Sequence, residues 1–229
     1  IRNSDIFEER VEKVIKCWTE DSVRVKGQYY EIPYPYATGV EGYPGAETAR
    51  KAGVDNEVDE LGRIQRVAVV PKPFQKPHPP CFVPAMKSRE TISFCAKHGF
   101  IPTYFMGNDD MNECFDLYVE EGKRHGKSYV RGQNQNVTRW IHTSDTPEEH
   151  DTKIRKYDLD IYTNFYGPFF PQLPTGNENT RLQSIKESGL FLGGTLAQTI
   201  EDMTKIYDRS APEYITLIYH WAQQPKDVM

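Results

Sequence analysis

From residue 81 onward, short apolar runs alternate with amphipathic stretches. Cys81–Ala85 is brief and apolar, as a strand covered on both faces is. Ser88–His98 follows with helical spacing and ends at Gly99. Phe100–Met106 reads as a second strand and Asp109–His125 as a second helix, closed by Gly126. Gln135–His142 is a third strand. Thr146–Lys156 opens a third helix with Pro147 at its first position, and Glu148 and Glu149 sit where the helix dipole favours negative charge. Leu196–Tyr207 reads as a fourth helix and Tyr214–Tyr219 as a last strand. This alternation predicts a parallel sheet with helical crossovers.

The first third of the chain lacks that rhythm. Asp5–Trp18 predicts a helix with Ile6, Phe7, Val11, Val14, Ile15 and Trp18 on one face and Ser4 as its N-cap. A short extended pair, Val23–Val25 and Tyr29–Ile32, turns at Gly27. Residues 33–66 carry eight Gly and Pro residues and no sustained period, so they read as an insertion. Val67–Val70 reads as a short buried strand, and Pro71–Pro80 as an extended connector, because proline cannot donate to a ladder. A second insertion spans about residues 161–188. Within it, Tyr162–Arg181 interleaves Phe165, Tyr166, Phe169 and Phe170 with glycines and prolines, the pattern of an irregular aromatic lid.

Composition narrows the function classes. The chain has 229 residues, 38% hydrophobic and 27% charged, which is globular and within reach of a single domain, 1–229. Lys plus Arg is 28 against 33 Asp plus Glu, a net charge of -5 with no basic cluster, which argues against a nucleic-acid or membrane-surface partner. Cys17, Cys81, Cys95 and Cys114 lie far apart without a CxxC pair, so neither a disulfide scaffold nor a structural zinc is expected, and a reducing cytoplasm suits the chain. The six histidines show no HExxH spacing, so no metal is expected. No apolar run approaches the roughly 18–20 residues that span a bilayer. The sequon Asn136-Val137-Thr138 falls in a predicted buried strand and reads as chance. Four such strands cannot close a barrel, which needs about eight. An open doubly-wound sheet would carry a GxGxxG turn, and Gly193-Gly194 is not that motif. With Ile1 running straight into a helix and Met229 just after Pro225, the chain reads as a segment of something longer.

The candidate chemistry sits where predicted strands end. The turn Ala85-Met86-Lys87-Ser88-Arg89-Glu90-Thr91 opens a helix whose unpaired N–H groups and dipole favour an anion. Hydroxyls at Ser88 and Thr91 and the charge of Lys87 can join the same phosphate; alternatively, Ser88 merely caps the helix. The last strand runs into His220-Trp221, an imidazole beside an indole. His142 and Tyr104 end two other strands, and Arg181 is an anion contact from the lid.

Three stretches together resemble the luciferase-like flavin monooxygenases. They are Glu8 through Asp21 with Gly27-Gln28-Tyr29-Tyr30; Val70-Pro71-Lys72-Pro73-Phe74-Gln75-Lys76-Pro77 leading into Ser88-Arg89-Glu90-Thr91 and Ala96-Lys97-His98-Gly99; and Tyr219-His220-Trp221. The resemblance implies a (β/α)₈ barrel of which this chain holds the C-terminal half, beginning after the fourth strand. It implies that Ala85, Met86, Lys87, Ser88 and Thr91 hold the phosphate of FMN, although Met86 and Lys87 are bulky where many relatives carry small residues. His220 is then the catalytic candidate, and Tyr104, His142, Arg181 and Trp221 line the substrate pocket. The implied activity is oxygenation of a small organic substrate by a cytoplasmic homo-oligomer, using reduced flavin from a partner reductase. Three alternatives stay open: deazaflavin-dependent hydride transfer, a non-catalytic flavin-binding protein, and a phosphate-binding barrel isomerase or lyase.

Overall fold

The computed structural model describes residues 3–169, 176–219 and 225. The chain divides into two compact units, residues 1–80 and 81–229.

In the first unit, α1 (Asn3–Thr19) carries Glu9, whose carboxylate accepts N–H bonds from Gln28 at 2.8 Å, Tyr29 at 3.1 Å and Tyr30 at 2.9 Å. Lys13 pairs with the same carboxylate at 2.5 Å. The turn glycine makes room for this pair: a Cβ on Gly27 would stand 2.2 Å from Glu9 Oε1, so the Glu9 and Lys13 side-chain ends would have to shift. The turn joins β1 (Val25–Lys26) to β2 (Glu31–Ile32), an antiparallel pair as expected. The 33–66 segment contains the two-turn helix α2 (Ala46–Ala52). The strand expected at Val67–Val70 is absent. Val67 makes a single antiparallel bridge with Val23, and Val70 is 79% exposed. Next along the chain, the Ala68 N–H donates to the Glu57 carboxylate at 3.2 Å.

The second unit alternates strands and helices: β3 (Phe82–Ala85), α3 (Arg89–His98), β4 (Ile101–Tyr104), α4 (Asn108–Arg124), β5 (Asn136–Thr143), α5 (Pro147–Lys153), α6 (Leu159–Ile161), α7 (Glu178–Glu187), β6 (Phe191–Gly194), α8 (Leu196–Ser210) and β7 (Tyr214–Ile218). All five strands pair in parallel, so this is a partial barrel with helical crossovers. Ser4, expected to cap the first helix, lies inside α1, which already begins at Asn3, whereas the expected ends of α3 and the start of α5 are present. Ser88 caps α3, Gly99 ends it at φ 71°, and Thr146 accepts the Glu149 N–H at 3.1 Å ahead of Pro147. Two further expectations change. The described residues of this unit hold five strands where four were expected: the short β6 pairs with the C-terminal half of β5 while β7 pairs with its N-terminal half. And residues 162–169 are helical, not an irregular loop: α5 runs on through a π turn at Ile154–Asp158, α6, a second π turn at Tyr162–Tyr166 and a 3₁₀ turn at Gly167–Phe169.

Register sorts the strand residues onto two faces. Ala85, Tyr104, Val137 and Arg139 share one face, packed by helices. There the fully buried Arg139 donates to Asn108 Oδ1 of α4 at 2.8 Å, and burial pulls its pKa down to about 10. Thr103, Asn136, Trp140, His142 and Thr216 occupy the opposite face, which is the interior side of a barrel. Asn136 ties three strands together there, bonding Thr103 Oγ1 at 3.2 Å and Thr216 Oγ1 at 2.9 Å. Among the described residues no helix is long and apolar enough to cross a membrane.

Candidate functional site

In such barrels the reactive end is where the strands finish at their C-termini. On the interior face of β5 that end presents Trp140 and then His142. Trp140 is 1% exposed and is enclosed by rings: Phe105 edge-on at 4.6 Å, Phe191 at 4.5 Å, and Tyr166 and Tyr162 at 5.7 and 6.5 Å. Ile154, Leu159, Leu182 and Ile185 complete the apolar cluster from the helical segment that follows α5 and from α7. The aromatic stretch expected to act as a lid thus contributes Tyr162 and Tyr166 to the strand ends. Phe170 of that stretch lies outside the described residues.

Beside this wall is a polar group of which the sequence reading named only His142. His142 Nε2 stands 3.3 Å from Asp158 Oδ2, with both side chains buried. His150, from α5, is buried next to them; burial first, and then the charge of His142, pulls its pKa down to about 4. Its ring occupies the space a side chain on residue 193 would need, since a Cβ there would fall 2.1 Å from His150 Cε1. Thr138 Oγ1 on the same strand face is buried with no hydrogen-bond partner among the described residues. Asp158 and His150 gave no sequence signal. Asp158 is one of several charged residues in a helix, with Asp160 two positions on, and the four-residue spacing of His150, Ile154, Asp158 and Tyr162 does not match a 3.6-residue period.

The turn after β3 is a second polar locus. Ser88 caps α3 by accepting the Thr91 N–H at 3.3 Å, and the Thr91 and Ser88 hydroxyls lie 3.2 Å apart. The capping reading is therefore realised in the structure. The turn from Met86 to Glu90 is exposed, so the first amides of α3 are not walled off. Two features oppose an anion there. Lys87 is ion-paired with Asp110 and lies 3.6 Å from Glu113, and Ser88 Oγ also donates to Glu90 at 3.1 Å. The hydroxyl pair and open helix terminus fit a phosphate, while the local carboxylates would have to be displaced or screened.

The remaining candidates scatter. Ala85 is buried against the helix layer and Met86 is exposed. Tyr104 does not join the pocket. It points to the helix-covered face, wholly buried, with its hydroxyl donating to Gln135 Oε1 at 3.1 Å, and burial pushes its pKa well up. The parity of β4 decides this: its interior residue is Thr103, and the next interior ring is Phe105. Arg181 lies on α7 with a buried Nε that has no hydrogen-bond partner among the described residues. His220 and Trp221 lie outside the described residues. Among the described residues no cluster of three His, Cys, Asp or Glu side chains could hold a metal ion.

No family model matches the chain, and no curated protein matches it. Solved structures do. The monooxygenase RslO1 from Streptomyces bottropensis superposes with a TM-score of 0.63 at 15% identity, over 97% of this chain and 56% of its own. The oxygenating constituent of 3,6-diketocamphane monooxygenase from the CAM plasmid of Pseudomonas putida, a type II Baeyer–Villiger enzyme in complex with FMN, gives 0.61 at 14% identity, over 96% of this chain and 57% of its own. The coenzyme F420-dependent tetrahydromethanopterin reductase from Methanopyrus kandleri gives 0.56 at 9% identity, over 99% of this chain and 60% of its own. This chain therefore spans little more than half the length of these structures. At such identities the likeness is one of fold: the chain has the partial-barrel architecture of luciferase-like monooxygenases and F420-dependent enzymes.

Proposed function

We propose that this chain belongs to a flavin-type oxidoreductase, with its reaction site at the C-terminal ends of β3 to β7, and that the reaction is oxygenation of a small organic substrate. The observation that carries this reading is the interior face of β5. There a ring-lined, water-excluding wall around Trp140 adjoins a histidine paired with a buried carboxylate, in a fold shared with FMN- and F420-dependent enzymes. A bound flavin supplies the redox chemistry; the protein supplies binding, orientation and a dry pocket.

Ser88 and Thr91, with the open amides of α3, would hold the phosphate tail, the turn Ala85-Met86-Lys87 framing it. The wall of Phe105, Trp140 and Phe191 would exclude water from the ring-binding side, and His142 would hold or accept a proton there. His220 as catalytic candidate and Trp221 as pocket residue, both outside the described residues, stay part of the proposal, with Arg181 as an anion contact. Reduced cofactor would come from a separate reductase, and the chain would work as a homo-oligomer in the cytoplasm. A deazaflavin in place of FMN is the second reading, supported by the F420-dependent neighbour of the same fold.

The test is a binding and turnover experiment. Purified protein is titrated with FMN and with F420, and oxygen uptake is followed on adding reduced flavin and candidate substrates. Saturable FMN binding with substrate-dependent oxygen uptake supports the oxygenase. Binding of F420 alone supports the second reading, and binding of neither rejects both.

A further inference from the structure

The segment 33–66, which the proposed reaction site does not use, borders an open space inside the first unit. The cavity measures about 850 Å³, within the range of about 300–1,000 Å³ that small-molecule sites occupy. Val40, Ile64 and Val67 line it, together with Ala49 and Ala52 of α2. α2 buries none of its residues: its alanines border open space where packed side chains would ordinarily stand. Tyr43 and Val70, both exposed, also line the cavity, so it opens to solvent.

Two charged side chains line this mainly apolar space, Glu57 and Arg66. Glu57 is 9% exposed, and its carboxylate accepts the Val54 and Ala68 N–H groups, each at 3.2 Å. A carboxylate has about four acceptor positions, so half of them stay open. A Cβ on Gly53 would stand 2.1 Å from Glu57 Oε2 and 2.4 Å from the Ala49 carbonyl oxygen. The carboxylate thus lies against the C-terminal end of α2, where the helix dipole adds negative charge to its own. Arg66 donates from Nε to Ser22 Oγ at 2.7 Å and from Nη2 to the Ser22 carbonyl oxygen at 3.0 Å. Its Nη1 donates to nothing among the described residues. The Arg66 N–H meets the Glu57 carbonyl oxygen at 3.4 Å, so the two residues adjoin along the backbone. Yet their side chains form no ion pair, with each other or with any other described residue. A charge held away from water is costly without a counter-charge.

We propose that this cavity binds a small zwitterion with an apolar body, the chemistry of a free apolar α-amino acid. Glu57 takes the ammonium group, the open Nη1 of Arg66 takes the carboxylate, and Val40, Ile64, Val67 and the alanines of α2 cover the side chain. A lone amine leaves Arg66 without a counter-charge, and a lone acid leaves Glu57 without one. Glycine answers both charges but leaves the apolar walls wet. None of this rests on the redox reading of the second unit.

The test is isothermal titration calorimetry of the full chain with L-leucine, and with isopentylamine, isocaproate and glycine, which each lack one of the three features. Saturable leucine binding, about tenfold or more tighter than that of each analogue, is expected, since a hydrogen bond to a charged group is worth that much. Arg66→Met lowers leucine affinity to that of isopentylamine and leaves isopentylamine binding unchanged. Glu57→Gln lowers it to that of isocaproate and leaves isocaproate binding unchanged. Because Glu57 also holds two backbone amides, Ala52→Trp is the third variant. It places an indole at the cavity wall from an exposed position of α2, spares both charges, and is expected to abolish leucine binding while the circular dichroism stays that of the wild type. Absence of leucine binding at millimolar concentration, equal affinity for isopentylamine or isocaproate, or unchanged leucine binding in any folded variant overturns the proposal.

Discussion

Lys87, in the turn after β3, is ion-paired with Asp110 in the first turn of α4, and Glu113 stands 3.6 Å away on the next turn. The hydrogen bond from Lys87 to Asp110, stronger in effect than the partial burial opposing it, raises the lysine pKa. The cation nearest the proposed phosphate site is thus already neutralised. Asp110→Asn removes the nearer of its two carboxylate partners, leaving Glu113, and is expected to tighten FMN binding a few-fold at low ionic strength. The gain fades at high salt, because exposed charges are screened over about 10 Å at 0.1 M. An FMN dissociation constant that does not respond to the substitution at low salt removes Lys87 from the site.

Glu9 links α1 to the β1–β2 turn and titrates at an unusual pH. The hydrogen bond from Lys13 outweighs the opposing effect of burial and, with the amides of Tyr30, Tyr29 and Gln28, pulls its pKa from 4.5 down to about 2. A depressed carboxylate pKa stabilises the fold fully above the ordinary value, and that contribution is lost as pH falls through the folded one. Glu9→Gln is therefore less stable than the wild type at pH 7, with the gap closing between about pH 4.5 and about 2. Urea unfolding at a series of pH values measures this, and a constant gap contradicts it.

Gly193 has no room for a side chain, since a Cβ would meet His150 Cε1 at 2.1 Å and the His142 carbonyl oxygen at 2.8 Å. Gly193→Ala must push His150 aside and is expected to destabilise by about 1–3 kcal/mol, the usual range for overpacking. Chemical denaturation reads the loss; a neutral result would mean His150 moves freely.

Trp140 is the hub of the interior aromatic wall. Trp140→Ala is expected to cost about 3–5 kcal/mol, as large-to-small changes of buried aromatics do. A change below 1 kcal/mol in urea unfolding would mean the wall is not packed as described.

Much of the fold was legible because its signals are local. Ser88, Thr146 and Gly99 mark helix ends by their own chemistry, and the faces of α3 and α4 repeat with the helical period. β6 was not legible. Phe191-Leu192 before two glycines is too short to read as a strand, and its partner is only the far half of β5. Tyr104 was assigned to the pocket because it ends a strand, but pairing register decides its face, and that depends on β5, some thirty residues later. His142 was legible by its place at a strand end. Asp158 was not, because π turns change the residue period and leave no mark in composition. For Ser88 the cap, offered as the alternative to a phosphate contact, is what the structure shows, and the carboxylate neighbours of Lys87 arrive from α4, out of local view.

The claim on which the rest depends is that the start of α3 grips the phosphate of a flavin. Fluorescence titration with FMN, run in parallel on the wild type and on the double variant Ser88→Ala/Thr91→Ala, tests it directly. Saturable binding by the wild type, weakened tenfold or more in the double variant while riboflavin binding stays equal in the two, is the predicted result. Equal FMN affinity in both proteins would contradict it.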